Sequence, residues 1–296
     1  MYFDQERIKP EVVAAARDGV AHSRILFDLV ARHGYAVHVA RRVLAACLSQ
    51  DDCHGKLAAQ LPETARPCPH PIHTEPGDFE FEGRTLRVAV AHLYPPIYLI
   101  ENVVSRDECE ALIELARQSS RPSRLVPPAG GEAASGSYGR TNTTTPLAEE
   151  EGGLGVGLLR RFAKLAQWPA SHCEGAEVQH YREGQYFDLH VDYLTPEMLQ
   201  TNPEGMHSGN CMGNVLAYLN EPAGGGSTYF ANLGLQFAPK AGAALFFSYP
   251  TMASDSMTLH AGNPVTAGEK FIATTVFRER RWKRTFHFDN VGLPDR

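Results

Sequence analysis

The sequence is poor in the features that mark membrane, secreted and nucleic-acid-binding chains. It has no run of about 18 apolar residues, which excludes a membrane-spanning helix. Its start, MYFDQERIKP, lacks the apolar core of a signal peptide, so secretion is not expected and a cytoplasmic location is. Cysteines number only six (Cys47, Cys53, Cys68, Cys109, Cys173, Cys211), scattered along the chain, and read as reduced thiols rather than a disulfide framework. There is no excess of positive charge: the net charge of −6 is spread along the chain and argues against a nucleic-acid partner. Regular metal-finger spacing is missing too. Cys53-His54 and Cys68-Pro-His70-Pro-Ile-His73 do not follow the Cys and His intervals of structural zinc sites, and read as a proline-rich linker that contains histidine.

What remains is an ordinary globular composition, 43% hydrophobic and 21% charged. Residues 1–50 are alanine-rich with apolar residues at helical spacing, among them Val12, Val13, Ala16, Ile25, Leu26 and Leu29, and predict a small helical region. Residues 51–87 predict a linker. From residue 88 to 296 the period turns toward strands. Two helices are predicted there, one opened by the capping signature Ser105-x-x-Glu108 and one over GLLRRFAKLAQW, followed by a succession of short strands. The fold class is mostly β with supporting helices, a jelly roll or barrel with helices packed on one outer face. Residues 120–138 and 195–213 read as long loops, candidate lids over a pocket.

The chemistry begins at His190-Val-Asp192. Alternate residues of a strand share a face, so His190 and Asp192 project together while Val191 points away. A third ligand is His260, 70 residues on, before a Gly-Asn-Pro turn. Two histidines and one carboxylate occupy one face of a metal and leave open positions, the pattern of non-haem iron oxygenases. Lysines number only six, and Lys270 follows His260 by ten residues on a predicted strand. An inward cation there is costly unless an anion balances it, and a dicarboxylate bound to the metal would do so.

Four ordered motifs carry a resemblance: Y-x-x-G-Q-x-x-x-x-H-x-D (Tyr181 to Asp192), YLN with GGST-Y-F (Tyr218 to Phe230), P-K-x-G-x-A-L-F-F (Pro239 to Phe247) and H-x-G-x-P-V-x-x-G-x-K (His260 to Lys270). Together they resemble the prolyl 4-hydroxylase branch of the Fe(II)/2-oxoglutarate dioxygenases. The resemblance implies a double-stranded β-helix and Fe(II) held by His190, Asp192 and His260. It implies 2-oxoglutarate held at its distal carboxylate by Lys270, with Thr228 and the hydroxyls of Tyr181 and Tyr218, O₂ as oxidant, and ascorbate as reductant. The reaction it implies couples oxidative decarboxylation of 2-oxoglutarate to hydroxylation of an aliphatic carbon. The carboxylate at Asp192 favours hydroxylation over halogenation.

Three departures from the resemblance bear on substrate. Phe187 stands where the branch often carries a tyrosine, Cys211 where it often carries an arginine and Val276 where it commonly carries a tryptophan. These departures point away from a peptidyl proline and toward a free amino or imino acid, such as proline or pipecolic acid. Glu174 is the candidate for the amine of such a substrate, and Arg140 and Arg278 for its carboxylate. The alternatives are a peptidyl-prolyl 4-hydroxylase with residues 5–50 as docking module, a non-catalytic metal-binding jelly roll, and a hydrolytic zinc enzyme.

Overall fold

The computed structural model describes residues 5–20, 24–25, 28–29, 44, 68–93, 95–123, 139–148, 152–249, 252 and 256–282. In the N-terminal region a helix spans Gln5–Arg17, burying Val12, Val13 and Ala16, and Gly19 follows it at a φ of +78°. Of the rest of the expected helical region, Arg24, Ile25, Asp28, Leu29 and Leu44 are helical, with Ile25 and Leu29 buried; its other residues, most of the linker, Cys53, His54 and the stretch 124–138 lie outside the described residues.

Fifteen strands follow in chain order: β1 (Gly77–Phe81), β2 (Arg84–Leu93), β3 (Pro96–Glu101), β4 (Arg121–Pro122), β5 (Thr143–Pro146), β6 (Glu177–Tyr181), β7 (Phe187–His190), β8 (Cys211–Tyr218), β9 (Gly224–Gly225), β10 (Thr228–Phe230), β11 (Leu235–Phe237), β12 (Ala244–Ser248), β13 (His260–Gly262), β14 (Val265–Ala267) and β15 (Lys270–Arg278). They form a nine-stranded sheet in the order β1-β2-β3-β12-β8-β15-β6-β5-β4, a four-stranded sheet β11-β10-β13-β7 and a small β14-β9 pair. Neighbours run antiparallel, as in β12 against β8 and β15 against β6. Two facing antiparallel sheets with this crossover order are a double-stranded β-helix.

The large sheet is apolar on both faces, and strand alternation explains how. Val215, Ala217, Ala244, Phe246, Phe271 and Ala273 pack in a core with the helices Arg106–Ser119 and Leu154–Leu165. Their neighbours Leu216, Tyr218, Leu245, Phe247 and Ile272 pack in a second core with Phe230 and Phe237 of the small sheet. The first helix buries Cys109, Leu112 and Ala116, one stripe at intervals of three and four, and Ser105 and Glu108 close its capping box. Glu108 also takes hydrogen bonds from Arg161 and Arg84, tying both helices to β2. Burial alone would raise its carboxyl; those bonds outweigh it and bring Glu108 down to about 2.

Three local expectations are corrected. Residues 77–87 are not linker: β1 and β2 form a hairpin on the edge of the large sheet, closed by Glu82 and Gly83, both at positive φ, with Phe81 and Leu86 buried. Alternation in DFEFEGRTLRV carries that signal; the prolines before it masked it. Residues 195–213 are not one loop. Two short helices, Pro196–Thr201 and Pro203–Ser208, are capped by the side chains of Thr195 and Asn202, and β8 begins at Cys211. Finally, β7 ends at His190, so Asp192 lies in a bend just beyond the strand.

Candidate active site

A cavity of about 580 Å³ opens between the two sheets and is lined by residues of both, among them His190, Asp192, His260, Thr228 and Lys270. Pairing of β13 with β7 sets His260 directly opposite His190, their ring centroids 4.2 Å apart. Asp192 reaches the same point from the bend. Its Oδ1 lies 3.3 Å from His190 Nε2 and its Oδ2 lies 3.7 Å from His260 Nε2. Among the described residues these three form a group whose ligand atoms all lie within 4.8 Å of one another.

Both imidazoles are oriented by backbone. Nδ1 of His190 is 2.6 Å from the Asp188 carbonyl and Nδ1 of His260 is 2.9 Å from the Thr258 carbonyl. A carbonyl can only accept, so Nδ1 carries the proton and Nε2 keeps its lone pair for a metal. Burial, with His190 alongside, pushes His260 down to about 4, so it is neutral at ordinary pH. Burial would raise the Asp192 carboxyl. The adjacent His260 and His190 and the Tyr249 hydroxyl outweigh it and hold Asp192 below the usual carboxylate range. Aromatic rings fix the histidines further: Phe187 stacks on His190 at 3.6 Å, and Phe247 meets His260 edge-on at 4.8 Å. Two imidazole nitrogens and a carboxylate fit a ferrous ion with open positions.

Lys270, at the start of β15 opposite Tyr181 of β6, is 2% exposed. Its Nζ sits 5.0 Å from the Tyr181 ring centroid and 5.8 Å from that of Tyr218. Burial pushes its pKa down to about 7, and no carboxylate among the described residues pairs with it. The expected hydroxyl partners divide. Tyr218 is fully buried and donates to Thr228 Oγ1 at 2.8 Å, leaving the Thr228 proton free for the cavity that Thr228 lines. The Tyr181 hydroxyl donates to Gln179 at 2.8 Å, so Tyr181 offers the cation its ring face rather than its oxygen. Close approach here requires glycine: a Cβ on Gly226, at φ +72°, would stand 3.1 Å from Lys270 Cδ.

The expected substrate residues are brought to the cavity in part. Glu174, Arg140, Phe187, Val276 and Arg278 line it. Glu174 and Arg278, expected to hold opposite ends of a zwitterion, instead hold each other, with Arg278 Nε and Nη2 both 2.5 Å from Glu174 Oε1. Arg140 lies over the Phe187 ring at 4.8 Å and donates to Asn142. Cys211 does not reach the cavity. It is fully buried in the second core, paired with Arg278 across a β-bulge, its thiol 3.5 Å from the Gly213 carbonyl. His70 contacts Gln167 and His73 stacks on Phe79, so among the described residues that cluster gathers no metal-binding group. Sequence reasoning missed Tyr249 and Asn214, which both hydrogen-bond Asp192 Oδ2; no spacing rule ties them to His-x-Asp.

Residues 176–278 match the 2OG-Fe(II) oxygenase superfamily. Probable prolyl 4-hydroxylase 3 of Arabidopsis thaliana is 31% identical over 201 residues, covering 61% of this chain and 68% of the relative. A putative prolyl 4-hydroxylase of Acanthamoeba polyphaga mimivirus is 28% identical over 194 residues, covering 64% and 76%. A solved viral collagen prolyl hydroxylase from Paramecium bursaria Chlorella virus-1, in complex with 2OG, aligns over 62% of this chain and 95% of its own at 24% identity and a TM-score of 0.46. Membership decides for an enzyme over a non-catalytic jelly roll, and for Fe(II), 2-oxoglutarate and O₂ over hydrolytic zinc. This chain belongs to the 2OG-Fe(II) oxygenase superfamily and is an oxygenase of the prolyl 4-hydroxylase type.

Proposed function

We propose that the enzyme hydroxylates a prolyl ring carbon within a peptide, with His190, Asp192 and His260 holding the iron and Lys270 and Thr228 holding the distal carboxylate of 2-oxoglutarate. One observation carries the cofactor reading: a buried cation without an acid stands in the same cavity as three convergent metal-ligand atoms. A dicarboxylate that reaches from metal to Lys270 supplies the charge the lysine lacks. When bound, iron and 2-oxoglutarate supply an oxidative decarboxylation to succinate and CO₂ that activates O₂ for hydroxylation. Thr228 donates to the carboxylate, Tyr218 orders Thr228, and the Tyr181 ring keeps water from the ammonium. Nδ1 of each histidine keeps its proton, so Nε2 stays available.

For the substrate, the Glu174–Arg278 pair matters most. Two charges that satisfy each other suit a neutral prolyl ring better than a zwitterion, in line with the prolyl 4-hydroxylases this chain resembles. A second reading, a free cyclic imino acid, is favoured by the charged wall: Arg140 Nη2 has no hydrogen-bond partner among the described residues, and its ion pair with Glu177 is a long one at 3.6 Å. Succinate release, measured with Fe(II), ascorbate and 2-oxoglutarate, separates the two. Turnover on proline-containing peptides with none on free proline or pipecolic acid is the expected result; the reverse pattern overturns the peptide reading. The N-terminal residues 5–50 are the proposed peptide-docking module, and peptide turnover unchanged on deleting residues 1–78 would remove them from that role.

A further inference from the structure

We propose that Tyr249 and Asn214 are positioning residues that hold Asp192 as a single-oxygen metal ligand, occupying Oδ2 so that Oδ1 faces the metal. The inference rests on His190, Asp192 and His260 being the iron site. The Tyr249 hydroxyl donates to Asp192 Oδ2 at 2.5 Å and the Asn214 amide donates to the same oxygen at 3.1 Å. Neither donor has an Oδ1 contact; Oδ1 stands 3.3 Å from His190 Nε2, while Oδ2, which carries both donors, stands farther off, 3.7 Å from His260 Nε2.

Both donors are locked in place. Tyr249 follows β12, is fully buried, and packs edge-on against Phe247 and Tyr193 at 5.9 and 5.5 Å. Its own N–H donates to the Met212 carbonyl, so its backbone is anchored as well. The Thr274 hydroxyl shares its one proton between Asn214 Oδ1 at 2.9 Å and the Val215 carbonyl at 2.8 Å, and the Asp192 carboxylate can only accept, so the amide nitrogen is the Asn214 edge presented to Asp192. Tyr249 does not line the cavity and therefore acts only through Asp192.

The consequence is one of counting. Two imidazoles and one carboxylate oxygen take three of six positions around the metal and leave three, enough for a chelating cosubstrate and O₂. A carboxylate free to bind through both oxygens would take a fourth. Two charge-assisted hydrogen bonds on Oδ2 spend the lone pairs that such binding needs.

The experiment uses the full chain without 2-oxoglutarate, with Mn(II) affinity and the visible absorption of bound Co(II) as readouts. Tyr249→Phe, folded by circular dichroism, is expected to bind Mn(II) about 10- to 100-fold more weakly and to give an altered Co(II) spectrum, since the coordination mode has changed. Thr274→Val leaves Asp192 untouched but frees the Asn214 amide, and is expected to shift the Co(II) spectrum in the same direction by less. Natural-like Mn(II) affinity and Co(II) spectrum in both variants overturn the proposal. The iron-site reading fails separately: Asp192→Ala binding Mn(II) as tightly as the natural chain would sink that reading and this proposal with it.

Discussion

The Lys270 ammonium lies 5.0 Å from the centre of the Tyr181 ring, in a wall that supplies it no acid among the described residues. Without a ligand, that charge opposes folding. Its pKa falls from 10.5 to about 7, so between those values the unfolded chain binds a proton that the native chain has released, and native stability rises with pH across that window. Below about 7 both states carry the proton and the full burial cost applies. Lys270→Met is therefore expected to melt at least about 4 °C higher than the natural chain at pH 6, with the advantage shrinking toward pH 10. In the same variant 2-oxoglutarate no longer raises the melting temperature. Thermal scans with and without 2-oxoglutarate check both statements, and a variant less stable than the natural chain at pH 6 contradicts the first.

Replacing His190 or His260 by alanine removes a nitrogen whose tautomer the backbone has already set. Metal affinity by equilibrium dialysis is expected to fall by more than the about 10- to 100-fold typical of losing an outer partner, and succinate formation to cease. Exogenous imidazole is expected to restore part of the metal binding to His190→Ala, because His190 is more exposed than His260. Retention of full affinity by either variant would break the assignment.

The Glu174–Arg278 pair is mostly buried, with side chains 24% and 9% exposed. Glu174→Gln leaves the guanidinium short of a counter-charge and is expected to destabilise the fold by about 2 kcal/mol, below the 3–5 of a fully buried pair. Urea melts of the two single variants and the double Glu174→Gln/Arg278→Met give the coupling directly. If the pair is architectural to a peptide site, peptide KM changes with each single variant and partly recovers in the double. Additive effects would mean that each charge touches substrate independently.

Gly226→Ala tests the floor beneath Lys270. A β-carbon 3.1 Å from Lys270 Cδ, at φ +72°, strains the turn and displaces the cation together. The expected result is a loss of about 1–3 kcal/mol of stability and a rise in KM for 2-oxoglutarate, with metal affinity unchanged. A change in metal affinity without a change in 2-oxoglutarate binding would place the effect elsewhere.

Alternation and turn residues made the barrel legible: EVQHY, AALFFSY and KFIATTVF stand as β6, β12 and β15, and Ser105-x-x-Glu108 closes its capping box. The His-x-Asp, the distant histidine and the lysine were legible because their types are chemically conspicuous. Less visible were relations that no local pattern encodes. Period-two reasoning put Asp192 on the strand, whereas the chain bends after His190. Cys211 stands at a substrate-facing position by motif, but it is sealed in the second core behind the cavity wall, a burial no local pattern encodes. Tyr249 carries no local signal of its role, since its partner lies 57 residues away. Glu174 and Arg278, 104 residues apart, were each assigned to substrate before their mutual contact could be seen.

The pairing of β7 with β13 carries a consequence for assembly. His190 and His260 are 70 residues apart, and β7 is the last named strand of the four-stranded sheet, backed on its outer side only by an isolated bridge between Arg140 and Phe187. Closing so long a loop is entropically slow, and an edge strand frays before the middle of a sheet does. The proposed ligand set is thus expected to come together among the last contacts to form and to be among the first to part. Metal release under mild heating or denaturant should precede loss of the large sheet, so a bound ion would report on the integrity of one marginal strand, and saturating metal would act as the clasp that keeps it closed.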